Sequence, residues 1–192
     1  NFKSKKKREC HFPMLSNYPK QKVLDLITQL SEGELRAEVN RQVISEKSKF
    51  DPINLFDQIS NDTDYITLQH LIALFQDNSY KVSYDDTQVI LESFDKDQDQ
   101  KWSFKEFLES VLPKDNQQLR NRIISAVKRL ERGDGAIEYD IIYALIRIYD
   151  EELKCYKTCE QTRRELLLCD EFSIIAAFKE IDVESKGYIN HQ

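Results

Sequence analysis

Three aspartates alternate along Asp95-Lys96-Asp97-Gln98-Asp99, and a fourth acid, Glu106, closes the run Gln100-Lys101-Trp102-Ser103-Phe104-Lys105-Glu106. The flanks are apolar at helical spacing: Leu91 and Phe94 precede the acids, and Phe104, Phe107, Leu108 and Val111 follow them. Ser103 and Glu106 stand three apart at the start of the second apolar stretch, the signature of a capping box. The segment therefore reads as a helix, a polar loop rich in carboxylates, and a second helix. Few sequences satisfy all of these spacings at once.

The pattern of apolar helix, polar loop with a β-branched or aromatic centre, and second helix recurs, and four such units fit between Asp51 and Gln192. Upstream, residues 1–16 read as an irregular arm. Val23, Leu24, Leu26, Ile27 and Leu30 give Tyr18 to Leu30 the spacing of an amphipathic helix. Ser31-Glu32-Gly33-Glu34 reads as a capping box that starts another helix, running to about Lys47. Asp51-Pro52 sets an N-cap residue before a proline at the first helical position. Only four glycines and four prolines occur in 192 residues, which argues against a β-rich fold with many tight turns. Pro113 ends a helix, and Lys114 to Gln118 reads as a hinge. The expected architecture is all-α in three parts: a basic arm with N-terminal helices over 1–50, one pair of helix–loop–helix units over 51–113, and a second pair over 114–192.

The stretch from Asp95 to Glu106 resembles the calcium loop of the EF-hand, which is acidic at its first, third, fifth and twelfth positions. Residues from about 51 to 192 resemble the calmodulin superfamily, so each unit corresponds to one hand and the chain to two EF-hand pairs. The resemblance implies carboxylate ligands from Asp95, Asp97 and Asp99, and the backbone carbonyl of Lys101. Ser103 would act directly or through water, and Glu106 would close the site with both oxygens. Calcium is a hard cation that needs several oxygens, and alternating carboxylates can wrap it. The sixth position is normally glycine, but here it is Gln100. A non-glycine residue in the left-handed region costs about 1–2 kcal/mol, and charged against binding this weakens affinity roughly tenfold.

The other three loops keep the fold signals and lose ligands. In the first, Ser60, Asp62 and Asp64 take the first, third and fifth positions, one residue is missing where the glycine belongs, and His70 replaces the closing glutamate. The third, from Glu131 through Gly135 and Ile137, has Ile141 in the closing place, and Arg132-Gly133-Asp134 reads as turn chemistry. The fourth begins at Asp182 and Glu184, sets Lys186 where a ligand belongs, and reaches Gln192 at its eleventh position, which reads as a fragment of a longer protein. Paired hands meet through short β-contacts, so Ile66 should face Trp102 and Ile137 should face Ile189. One calcium site is expected, at Asp95 to Glu106.

Charge and composition narrow the function. Residues 1–22 hold seven basic residues (Lys3, Lys5, Lys6, Lys7, Arg8, Lys20, Lys22) against Glu9, a net +6, while the whole chain is −6, leaving −12 on residues 23–192. A basic arm on an acidic body suits contact with an acidic surface, and the acidic body does not suit nucleic acid. No run approaches the ~20 apolar residues of a membrane span. Cys10, Cys155, Cys159 and Cys169 lack zinc-ribbon spacing and are too sparse for a disulfide scaffold, so they read as reduced thiols in a reducing cytoplasmic interior. His11, His70 and His191 are scattered, and no nucleophile–base pair or phosphate loop argues for an enzyme. Leu112 to Asp115, the alternation of degenerate and competent hands, and the segment Glu34 to Arg41 are similar to the EF-hand pair proteins of ciliary axonemes. That resemblance implies a structural adaptor fixed in a cytoskeletal, microtubule assembly, with protein partners such as tubulin or other axonemal proteins. The alternative is a calmodulin-like sensor that takes a target helix on calcium loading. Sensor grooves are rich in methionine, and this chain has only Met14.

Overall fold

The computed structural model of the protein describes residues 15–127, 136–182, 184 and 186–188. Among these the chain forms eight helices and one two-stranded sheet: α1 (Asn17–Glu46), α2 (Pro52–Ser60), β1 (Tyr65–Thr67), α3 (Leu68–Asp77), α4 (Tyr84–Phe94), β2 (Lys101–Ser103), α5 (Phe104–Val111), α6 (Gln117–Val127), α7 (Tyr139–Leu167) and α8 (Ile174–Ile181). The protein is mostly helical, as its glycine-poor, periodic sequence implies. No helix among the described residues is long and apolar enough to cross a membrane.

Local chemistry sets most helix starts. The Asp51 carboxylate accepts from the N–H groups of Ile53 (2.9 Å) and Asn54 (3.3 Å), with Pro52 at the first position. The Ser83 hydroxyl accepts from Asp86 N–H, and Asp85 and Asp86 lie in the first turn of α4, where the helix dipole favours them. α1 departs from expectation. The two helices anticipated over 18–30 and 34–47 are one, because the Ser31–Glu34 box does not interrupt it. Packing outweighs the cap here: a Cβ on Gly33 would lie 2.3 Å from the Cys155 Sγ, so only glycine lets α1 approach α7 this closely. Cys159 is buried, and Cys155 and Cys169 are partly buried.

The chain divides into two compact units. The larger spans Leu30–Lys157, and the expected boundary at 113/114 falls inside it. Its core gathers Leu55, Phe56, Ile59, Ile66, Leu71, Phe75, Ile90, Leu91, Phe94, Trp102, Phe107 and Val111 with Ile141, Leu145, Ile148 and Tyr149 of α7. Arg41 of α1 is completely buried there. Its Nε donates to the Ser110 carbonyl at 3.0 Å, and its guanidinium pairs with Glu34 and Glu152. The stretch read as a hinge is tied down as well: the backbone N–H groups of Lys114 and Asp115 donate to the Glu38 carboxylate at 2.9 and 3.1 Å. The smaller unit comprises residues 1–29 and 158–192, where Leu15, Ala176 and Ala177 pack with Val23 and Phe172. Lys20 pairs with Glu180 and Lys22 with Glu165 inside that unit.

Candidate metal centre

β1 and β2 pair antiparallel in the larger unit, with Ile66 opposite Trp102. This is the register expected from the two loop centres. Both side chains are completely buried, and the Trp102 indole N–H donates to the Leu91 carbonyl at 2.7 Å, satisfying the one polar atom that burial would strand. The sheet thus fixes the loop Asp95–Glu106 against the loop that joins α2 to α3.

Asp95 organises its loop from the end of α4. One of its carboxylate oxygens accepts from Asp99 N–H at 3.2 Å and the other from Gln100 N–H at 2.8 Å. Asp97 Oδ1 also lies 3.4 Å from Asp99 N, and Asp99 Oδ1 accepts from Lys101 N–H. The backbone turns with positive φ at Gln98 (61°) and Gln100 (65°). Three carboxylates converge as a result: Asp95, Asp97 and Asp99 each offer an oxygen, all within 4.8 Å of one another. Loss of surrounding water and repulsion from Asp99 and Glu106 hold the Asp97 carboxyl above its ordinary range.

Glu106 takes a different part. Its Oε1 accepts from Lys96 N–H at 2.8 Å, and its Oε2 from Ser103 N–H at 2.9 Å and the Ser103 hydroxyl at 2.7 Å. It therefore closes the loop end to end, and it stands outside the three-aspartate group. Burial pushes its carboxyl up, but these hydrogen bonds outweigh burial and leave it below the ordinary value. The Lys101 ammonium lies 3.4 Å from Asp99 Oδ2 and 3.8 Å from the centre of the Tyr65 ring, so one lysine serves as both an ion-pair and a cation–π partner. Three converging carboxylates are oxygen donors of the kind that suit a hard divalent cation.

The facing loop is closed without ligands. Asn61 and Asp62 are both left-handed, and their N–H groups donate to the Asp57 carbonyl. The Thr63 hydroxyl lies within hydrogen-bond reach of the carbonyls of Ser60 (2.7 Å) and Tyr65 (2.9 Å). His70 shares the capping part of Glu106's role: its Nδ1 accepts from Thr67 N–H at 3.2 Å. In the smaller unit, Asp182 repeats the Asp95 pattern, accepting from Lys186 N–H (2.9 Å) and Gly187 N–H (2.7 Å), with Gly187 at φ 79°. There the Lys186 ammonium pairs with Glu184. Residues 1–14, the Arg132-Gly133-Asp134 turn and the expected partner of Ile137, Ile189, lie outside the described residues. Ile141 is buried in the main core.

Sequence reading missed Tyr149. Its ring packs on Trp102 with centroids 5.5 Å apart and also meets Phe75 and Phe94, joining α7 to the loop Asp95–Glu106. The only available signal was the helical period Ile141, Leu145, Ile148, Tyr149, which marks a buried face without saying what it covers. Comparison of the chain with protein-family models, curated proteins and solved structures returns no match.

Proposed function

We propose that the chain is a structural EF-hand adaptor whose helices α2 to α5 form one pair of hands with a single calcium site at Asp95–Glu106. The observation that carries this reading is the convergence of Asp95, Asp97 and Asp99 in a loop paired by β-contacts to a second loop of the same build. Asp95, Asp97 and Asp99 would hold the cation, with the Lys101 carbonyl, Ser103 and Glu106 completing the shell. The facing loop supports an adaptor over a sensor. Its turn is held by Thr63 and His70 through hydrogen bonds that need no cation, so half of the pair has no ligand-dependent shape to change. The single methionine points the same way. The regulated opening of a sensor exposes an apolar groove, and a fixed pair does not.

The assembly proposed is cytoskeletal, an axonemal microtubule lattice, with tubulin or another axonemal protein as partner and the basic stretch Lys3 to Lys22 facing an acidic surface. Two measurements test the proposal. Adding millimolar calcium to the full chain should change Trp102 emission modestly and raise the fluorescence of the apolar dye ANS little, whereas a large calcium-dependent rise in dye binding restores the sensor. The full chain should also pellet with microtubules, and less so as salt screens the arm. Failure to pellet at low salt removes the tubulin partner.

A further inference from the structure

The apolar cleft between the paired helix–loop–helix units already holds a helix of this chain. Ile141, Ala144, Leu145, Ile148, Tyr149 and Leu153 of α7 are buried in the same core as Phe75, Phe94, Trp102 and Phe107. Their spacing is that of an amphipathic helix laid into a groove. Tyr149 is fully buried at its centre. Its ring touches aromatic residues from α3 (Phe75), α4 (Phe94) and β2 (Trp102), and its hydroxyl lies 3.2 Å from the Ser110 Oγ on α5. Polar ties surround that anchor. Asp150 accepts from the Tyr80 hydroxyl, Glu152 pairs with buried Arg41, and Lys157 pairs with Asp86 at 2.8 Å. The opposite face of α7 carries Tyr139 and Tyr143, stacked and exposed, with Arg147 over the Tyr143 ring.

We propose that α7 is the resident occupant of this cleft, anchored by Tyr149, and that it closes the pair to outside target helices with or without calcium. The inference rests on the reading of α2 to α5 as a paired-hand cleft. A large aromatic anchor in a ring-lined pocket, flanked by apolar residues on one helical face, is what a bound target helix supplies in trans. Here the chain supplies it in cis at a high effective concentration, so a free helix competes poorly. An adaptor built this way meets its partners through surfaces other than the cleft.

Hydrogen exchange on the full chain tests this in chelator and in millimolar calcium. Backbone amides of 141–153 should be protected to within about tenfold of those in α4 and α5 in both solutions. Exchange of the α7 amides more than about a hundredfold faster than the α4 and α5 amides, in either solution, would overturn the proposal. The chelator arm does not depend on the metal. A chain that binds no calcium defeats the single-site reading and leaves this one standing, whereas a chain that binds calcium and releases α7 does the reverse. A second arm uses a labelled synthetic peptide of residues 139–157. It should bind the Tyr149→Ala full chain and not the unaltered one, and equal uptake by both would show an open cleft. If the variant fails to fold, the unaltered chain decides alone, through its exchange pattern and its refusal of the peptide.

Discussion

Both carboxylate oxygens of Glu106 are engaged by the loop itself, through Lys96 N–H, Ser103 N–H and the Ser103 hydroxyl. Its folded-state pKa lies below the ordinary 4.5. A depressed carboxyl contributes stability that is complete above its unfolded value and is lost as pH falls through the folded one. Acidification below about pH 5 should therefore lower the unfolding free energy of the unaltered protein, read by denaturant, more than that of Glu106→Gln, whose amide does not titrate there. Parallel pH profiles would show that the cap carries no charge-dependent stability. Gln100 makes a different point. The sequence charges its missing glycine against calcium affinity, but the structure shows Gln100 N–H bonded to Asp95 within the loop's own network, at φ 65°. The strain therefore falls on folding. Gln100→Gly should raise the unfolding free energy by about 1 kcal/mol and leave calcium affinity nearly unchanged, as thermal melts and titration would report. A tenfold gain in affinity without a gain in stability would return the strain to the binding step.

Among the elements, α1 is where local signals mislead. A serine, a glutamate, a glycine and a second glutamate spell a helix start, yet the helix runs through them because Gly33 is the point at which α1 meets α7. In an open helix Gly→Ala stabilises by about 1 kcal/mol. Here the added methyl group meets Cys155 Sγ and Cβ at 2.3 and 2.6 Å, so Gly33→Ala should instead destabilise by about 1–3 kcal/mol. In a Cys155→Gly background the same change should become neutral or favourable, and an unchanged penalty there would deny the contact. The loop Asp95–Glu106 is far more legible than α1. Capping chemistry, loop acids and apolar flanks all lie between Leu91 and Val111 and agree, so the three-aspartate cluster follows from local sequence, and the Ile66–Trp102 register follows from matching the centres of two similar loops. The packing of Tyr149 and the burial of Arg41 link residues more than forty positions apart in the chain. Periodicity marks such faces as buried but carries no information on their partners.

At the scale of the whole chain, the larger unit gathers two helix–loop–helix units, part of α1 and most of α7 around one core. One of its loops is closed by carboxylates that a cation can bridge, and the other by a threonine and a histidine. The proposed function rests on that asymmetry: a fixed pair with a single place for calcium, its second loop held by the chain's own groups. In the fourth loop the Lys186 ammonium pairs with Glu184. Isothermal calorimetry of calcium binding to the full chain, beside Glu106→Gln, reads this claim most directly. One calcium per chain, abolished or strongly weakened by Glu106→Gln, is the predicted result. Two or more ions per chain, or one ion whose affinity is indifferent to Glu106→Gln, would contradict it.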